Sequence, residues 1–361
     1  MKAPEEPSDI HVLVIDDSAV VRQAMSMILN NESGFSVSVA PDPIIAFKLM
    51  AARRPDVILL DLLMPKMDGM TFLLKLVAED PIPVIICSEA VSKEAELAFR
   101  ALDAGAVDLV TKPRLGVQEF LHESAVLLTD AIRAAAQAKL HRKSQPYSGA
   151  KSGQGLRKPM AKGPAPAGAA WKVVALGAST GGTDAIRVVL RELPEDCPGL
   201  LIVQHMPAQF TATFAEKLDR VCQIQVREAK DGDLVRPGQA LVAPGNRHLL
   251  LAGASGRYHV RVDRGPLTSR HRPSVDVLFD SVARVARKDA VGILLTGMGD
   301  DGARGLLSMR RAGAHTFAQD EATSVVFGMP KEAIANGAAD TVLPLEKMAA
   351  ALLSAARARG R

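Results

Sequence analysis

Val173-Val174-Ala175-Leu176-Gly177-Ala178-Ser179-Thr180-Gly181-Gly182 decides how the second half of this chain is read. The apolar run is rich in β-branched residues and predicts a buried parallel strand. The small residues after it predict a tight strand-to-helix turn. A serine on such a turn holds its hydroxyl in the open, close to helix N-terminal amides, and many hydrolases mount a nucleophile this way. A phosphate-binding loop has the same pattern, because glycines let the backbone approach an anion at a helix N-terminus. The stretch alone does not separate the two readings.

Working outward, 361 residues suffice for two domains with separate cores, and 48% hydrophobic residues with mixed charges mark a globular chain. Aromatics are scarce, with the single Trp171, so the cores are built from Val, Leu, Ile, Ala and Met. No uncharged apolar stretch reaches the ~18 residues of a membrane span, and no signal-peptide pattern opens the chain. Cys87, Cys197 and Cys222 are too scattered for a disulfide framework, which points to reduced cysteines in a cytoplasmic protein. The net charge of +4 owes much to seven Lys/Arg and no Asp or Glu between Lys139 and Lys162. That segment is rich in Gly, Ser, Pro and Gln and reads as a flexible basic linker. With few aromatics to stack on bases, a nucleic-acid partner is not expected.

Residues 10–135 alternate between strand and helix patterns, which predicts a doubly wound parallel sheet. Charged residues fall at the carboxyl ends of its strands: Asp16 and Asp17 after the first, Asp61 after the third, Ser88 after the fourth, Lys112 after the fifth. Three carboxylates at one edge repel unless a divalent cation sits among them, and Mg²⁺ suits an open oxygen-ligand site. Asp61 then serves as a nucleophile toward phosphorus, with Lys112 and Ser88 positioned for a phosphoryl oxygen. This arrangement resembles the receiver domain of bacterial response regulators over about residues 10–128. The run Asp61-Leu-Leu-Met-Pro-Lys-Met-Asp-Gly69 is close to that family's DxxMPxMDG pattern. The resemblance implies a flavodoxin-like fold with a five-stranded sheet and phosphorylation of Asp61 by a histidine kinase. It also implies Mg²⁺ bound by Asp16, Asp17, Asp61 and the Leu63 carbonyl. Leu109 stands three residues before Lys112, where receivers often carry an aromatic, so an aromatic rotamer switch is not expected.

Past a helix end and linker at 129–168, strand and helix patterns resume over 169–355. Strands are expected at 173–176, 200–204, 290–295 and 315–319, with helices at 183–193, 275–288 and 303–312. Short strands at 223–228, 238–243, 248–251 and 258–262 form a mixed region between them, and the tail 345–357 looks helical. Ser179, His205 and an acid of the 296–302 loop each follow a predicted strand, so one sheet edge can gather them. Ester hydrolysis needs those three types: a serine attacks, a histidine carries its proton, and a carboxylate fixes the imidazole tautomer. Asp300 and Asp301 both qualify on pattern, and the loop glycines leave amides free for an oxyanion hole. The order Ser, His, acid differs from the Ser, acid, His order of α/β-hydrolases, which argues against an ordinary lipase or esterase.

The motifs Gly177-Ala-Ser-Thr-Gly-Gly182, Gln204-His-Met206 and Leu295-Thr-Gly-Met-Gly-Asp-Asp-Gly302 resemble, in order, those of the chemotaxis protein-glutamate methylesterases, the CheB family. Ala243-Pro-Gly245, Arg272-Pro-Ser-Val-Asp276, Gln319-Asp-Glu-Ala-Thr-Ser324 and Gly328-Met-Pro330 support the match. The resemblance implies Ser179 as nucleophile, His205 as base, Asp301 as orienting acid and the Met298 N–H as an oxyanion donor, with no cofactor for hydrolysis. Asp300 stands where the family often has Asn, which adds a negative charge beside the triad. The implied activity is phosphorylation-dependent demethylation of glutamate γ-methyl esters on chemoreceptors, with deamidation of receptor glutamines. The implied partners are methyl-accepting chemotaxis receptors and a chemotaxis histidine kinase. A DNA-binding regulator is disfavoured because no helix-turn-helix pattern follows residue 170. A dinucleotide-binding enzyme is disfavoured because Ser179 spoils the G-x-G-x-x-G match.

Overall fold

The computed structural model describes residues 9–65, 67–89, 92–113, 118–139, 172–254 and 256–357. Of the expected linker, residues 140–168 lie outside the described residues. The first unit runs β1 (Ile10–Ile15), α1 (Ala19–Asn30), β2 (Phe35–Ala40), α2 (Pro43–Ala52), β3 (Val57–Asp61), α3 (Gly69–Glu79), β4 (Val84–Ser88), α4 (Ser92–Ala104), β5 (Asp108–Thr111) and α5 (Gln118–Ala136). Its five strands are parallel in the order β2-β1-β3-β4-β5, with β5 at one edge. The interior strands are continuous apolar runs because helices cover both faces of the sheet. Ser18, Asp42 and Asp68 accept backbone N–H bonds as helix N-caps, which leaves Asp16, Asp17 and Asp61 free of capping duty at the sheet edge. Gly69 is required where α3 begins, since a Cβ there would lie 2.2 Å from the Asp61 carbonyl oxygen.

The second unit runs β6 (Val173–Ala178), α6 (Gly182–Arg191), β7 (Leu200–Gln204), α7 (Ala208–Val221), β8 (Gln225–Glu228), β9 (Gln239–Val242), β10 (His248–Ala254), β11 (Arg257–Asp263), α8 (Val275–Val285), β12 (Ala290–Leu294), α9 (Ala303–Arg311), β13 (His315–Gln319), α10 (Met329–Ala335), β14 (Thr341–Leu343) and α11 (Met348–Arg357). Seven of these strands form one parallel sheet, in the order β14-β13-β12-β6-β7-β9-β8. The chain moves one way from β6 to β7 and returns on the other side through β12. The carboxyl end of β6 is therefore a topological switch point, where open α/β sheets hold their ligands.

Most expected elements are present, with instructive differences. The short strands β8 and β9 join the main sheet as parallel members, and only β10 and β11 make an antiparallel hairpin. The crossover that makes β8 parallel is α7, a helix absent from the sequence reading. It buries Phe210, Thr211, Phe214, Ala215 and Leu218 along one face. The helix expected to reach 288 ends at Val285, followed by a 3-10 turn at Arg287–Asp289. Strand β14 and helix α10 are also additions.

The two units touch. Phe99 of α4 packs on Phe214 and Phe210 of α7, with ring centroids 6.0 Å and 6.3 Å apart. Lys217 Nζ on α7 donates to Asp103 Oδ2 at 2.6 Å and to the Phe99 carbonyl at 3.2 Å.

Close packing beneath the switch point generates a stability prediction. A Cβ on Gly177 would lie 2.2 Å from Val275 Cγ1, deep in the core. Gly177→Ala is expected to destabilise the second unit by roughly 1–3 kcal/mol, the usual cost of overpacking. Adding Val275→Ala should recover part of that loss in urea unfolding curves.

Candidate active site and receiver site

Adjacent strands β12, β6 and β7 deliver the three expected residues to one edge. Ser179 follows β6 directly. Its N–H donates to the Thr296 carbonyl at 3.0 Å, and its own carbonyl accepts from Gly182 N–H at 2.7 Å and Gln204 Nε2 at 2.9 Å. Gln204 also donates to the His205 carbonyl at 3.0 Å, so one buried amide ties the turns after β6 and β7 together. Two glycines permit the close approach. A Cβ on Gly182 would meet Gln204 Oε1 at 2.1 Å, and one on Gly297 would meet Ser179 Cβ at 2.7 Å. Gly181, at φ +77°, adopts the left-handed backbone that lets the turn enter α6.

His205 Nε2 lies 2.8 Å from Asp301 Oδ2, so the proton between them belongs on Nε2 and the lone pair on Nδ1. Nδ1 is buried and makes no hydrogen bond among the described residues. The two candidate acids are now distinct. Asp301 is buried against the histidine, whereas Asp300 is exposed at the rim. Asp301 also accepts from Ser274 Oγ at 2.7 Å, Val275 N at 2.7 Å and Asp276 N at 3.0 Å, at the N-terminus of α8. Burial alone would push its carboxyl up. The bonds from His205, the Asp276 backbone and Ser274 outweigh that and hold it below the ordinary carboxylate value. Asp276 reciprocates, accepting from Gly302 N at 3.0 Å and Gly305 N at 2.8 Å at the start of α9.

One site residue lies outside the sequence reading. The His271 ring stacks on His205 with centroids 3.8 Å apart and an interplanar angle of 13°. Burial, then the facing His205, hold its imidazole well below the usual range, so it is neutral at working pH. The only sequence signal was its place beside the Arg272-Pro-Ser-Val-Asp276 run. Ser274 and Asp276, quoted there only as a match, turn out to be partners of the buried acid and of the helix that follows it.

Ser179, His205 and Met298 line a cavity of about 690 Å³ whose opposite wall is the first unit. Leu109, Val110, Leu127 and Asp130 form that wall. Thr180, beside the serine, donates its hydroxyl to Asp108 Oδ2 at 2.6 Å. Burial pushes Asp108 above the ordinary carboxylate range.

At the other sheet edge, Asp16, Asp17 and Asp61 present carboxylate oxygens within 4.8 Å of one another. Three hard oxygen donors this close fit a divalent cation such as Mg²⁺. Lys112 Nζ lies 2.9 Å from both Asp16 Oδ2 and Asp61 Oδ2. Burial works against its charge, but the two carboxylates prevail and hold it above the ordinary lysine value. Burial likewise pushes Asp61 up despite Lys112. Leu63 donates its N–H to Asp61 Oδ1 at 3.2 Å. The Ser88 hydroxyl donates to Glu94 Oε2 at 3.1 Å and the Glu89 carbonyl at 3.2 Å, so it is turned toward α4.

A receiver sheet and an α/β enzyme sheet, joined through the face that carries the serine, define a receiver-linked α/β enzyme. The family described as "CheB methylesterase" matches residues 174–352, and "Response regulator receiver domain" matches residues 12–122. A protein-glutamate methylesterase/protein-glutamine glutaminase of Anaeromyxobacter dehalogenans is 55% identical over 351 residues, covering 96% of this chain and 97% of its own. Another, from Rhodospirillum rubrum, is 52% identical and covers 97% and 99%. The CheB methylesterase catalytic domain of Thermotoga maritima superposes with a TM-score of 0.50 and 37% identity, over 52% of this chain and 99% of that domain. The chain belongs to the CheB family of protein-glutamate methylesterases/protein-glutamine glutaminases.

The two neighbouring acids give a sharp test. Asp301→Asn should lower kcat for ester hydrolysis by on the order of 10³- to 10⁴-fold, as loss of a triad acid does. Asp300→Asn should change it less than about threefold, as an exposed charge does.

Proposed function

We propose that this chain removes γ-methyl groups from glutamate esters on methyl-accepting chemotaxis receptors, and deamidates receptor glutamines, under control of phosphorylation at Asp61. The observation that carries the reading is the alignment of Ser179, His205 and Asp301 on adjacent strands beneath a wall supplied by the receiver. In the mechanism, Ser179 Oγ attacks the γ-carbonyl carbon while His205 Nδ1, the nitrogen not engaged by Asp301, takes the serine proton. The oxyanion is met by the Met298 N–H. The tetrahedral adduct collapses, the His205 proton passes to the departing methoxide, and methanol leaves. Water then attacks the acyl-serine, gives its proton to the same nitrogen, and glutamate is released with Ser179 restored. With glutamine the leaving group is ammonia. Asp301 stays ionised throughout and stabilises the imidazolium.

The domains are a receiver at 10–128, a helix end and linker at 129–168, and a catalytic domain at 169–355. In the receiver, Asp61 accepts the phosphoryl group from a chemotaxis histidine kinase, and burial makes its carboxylate more basic. Asp16, Asp17, Asp61 and the Leu63 carbonyl would hold Mg²⁺, which when bound neutralises charge on the transferring phosphoryl group. Lys112 and Ser88 would contact the phosphoryl oxygens, Ser88 after turning from Glu94. The protein would act in the cytoplasm; among the described residues no helix is long and apolar enough to cross a membrane.

In this reading the arrangement of the two units is the closed one. A cavity of about 690 Å³ suits a small molecule, whereas a receptor helix ~10–12 Å across does not fit. Phospho-Asp61 would shift the population toward separated domains.

Ser179→Ala should cut methanol release from methylated receptor membranes by on the order of 10³-fold or more. A near-normal rate would end the serine-hydrolase reading. Control by closure predicts that Lys217→Ala, which removes a contact between α7 and α4, raises the unphosphorylated rate several-fold. Asp61→Asn should abolish the response to a phosphodonor. A phosphodonor-independent rate in the unaltered protein would rule the gate out.

A further inference from the structure

Two charged side chains from different domains meet in the cleft beside the triad. Arg270 Nη1, in the loop before α8, lies 3.5 Å from Asp130 Oδ1 on α5. Both residues line the cavity that holds Ser179 and His205. The pair is unequal. Asp130 is largely buried and its Oδ2 has no hydrogen-bond partner among the described residues, while the Arg270 side chain stays 66% exposed. A contact that leaves a buried carboxylate oxygen unsatisfied is poor as a structural ion pair. The loop nevertheless holds the arginine in a set place. Ser269 and Arg270 both adopt left-handed backbone, at φ 49° and 65°, which costs energy for non-glycine residues and persists where function demands it. The next residue, His271, stacks on His205, so the backbone at Arg270 is anchored beside that histidine. Arg272 differs, since its guanidinium is tied to Asn246 Oδ1 at 2.8 Å and the Gly265 carbonyl at 3.0 Å within its own domain.

We propose that Arg270 is a specificity-determining residue: it binds a carboxylate carried by the substrate helix within one turn of the esterified glutamate, and Asp130 occupies that place in the closed form. The proposal rests on the methylesterase reading above. A guanidinium fork matches a carboxylate, and side chains three or four residues apart on a helix lie ~5–6 Å from one another. An acid at that spacing shares with the ester the cavity that Arg270 and Ser179 both line. Because the pocket around Arg270 is walled by the receiver in the closed form, Asp130 and the substrate acid exclude each other. The enzyme's own product is a glutamate, so each turnover on a helix with several sites adds a carboxylate that can be recognised at the next.

The test uses the full chain with a small-molecule phosphodonor and two synthetic helical peptides. Each carries one glutamate γ-methyl ester, flanked four residues away on both sides by Glu in one peptide and Gln in the other. The quantity read is the ratio of kcat/KM values, which cancels any general loss of activity. The unaltered protein should prefer the Glu peptide about tenfold at low salt, a preference that added salt reduces. Arg270→Gln should bring the ratio close to one, Arg270→Lys should retain part of it, and Arg270→Glu should favour a third peptide flanked by Lys. Asp130→Asn should narrow the gap between unphosphorylated and phosphorylated rates. The proposal is overturned by an unaltered protein indifferent to the flanking charge, or by Arg270→Gln or Arg270→Glu variants that keep its preference. Failure of the methylesterase reading looks different: neither peptide nor receptor membranes would then be hydrolysed in a Ser179-dependent way.

Discussion

A carboxylate kept charged inside the core governs the active edge of this enzyme. Asp301 is buried, yet it accepts hydrogen bonds from two α8 amides, from the Ser274 hydroxyl and from His205. Asp276, in the first turn of α8, accepts from Gly302 and Gly305 at the start of α9. Each acid thus caps the helix that carries or adjoins the other, at helix ends where negative charge is favoured. Removing one partner of such a network typically costs about 3–5 kcal/mol, because a charge or several amides are left unpaired. That cross-capping fixes α8 against α9 and holds Asp301 in contact with His205. Asp276 feels the opposite balance from Asp301: burial wins there, and its carboxyl is pushed up.

The same economy of placement operates between the domains. Contacts between the two units in the cleft sit beside the site residues: Thr180 follows Ser179, and Arg270 precedes His271, which stacks on His205. Apolar and charged contacts of α4 with α7 add to closure outside the cleft. The first unit therefore covers the face that carries Ser179 and His205 while the contact of His205 with Asp301 stays in place.

Much of this was legible before any coordinates. Unbroken apolar runs at 57–60, 173–176 and 290–294 report strands buried on both faces, and a reactive side chain directly after such a strand lies at the ligand-binding edge. Asp16, Asp61, Lys112, Ser179 and His205 fall where that rule puts them. The limits are equally physical. Asp300 and Asp301 carry the same local pattern, and only burial separates them. The direction of β8 is set by the crossover through α7, and a strand's own residues do not encode it. β14 is three residues long and mostly exposed, so it lacks the apolar signal of its neighbours. His271, Arg270 and Asp130 acquire their meaning from tertiary approach, which no periodicity records.

One consequence of the receiver's strand order concerns the open enzyme. β5 ends the sheet, and its residues line the interdomain cleft. Were the two units to part, the outer backbone amides and carbonyls of this strand would meet water, and an unpaired strand edge is a template for association with another chain. At four residues, β5 offers little length for such pairing. A sheet edge uncovered there would be too short to pair strongly with another chain.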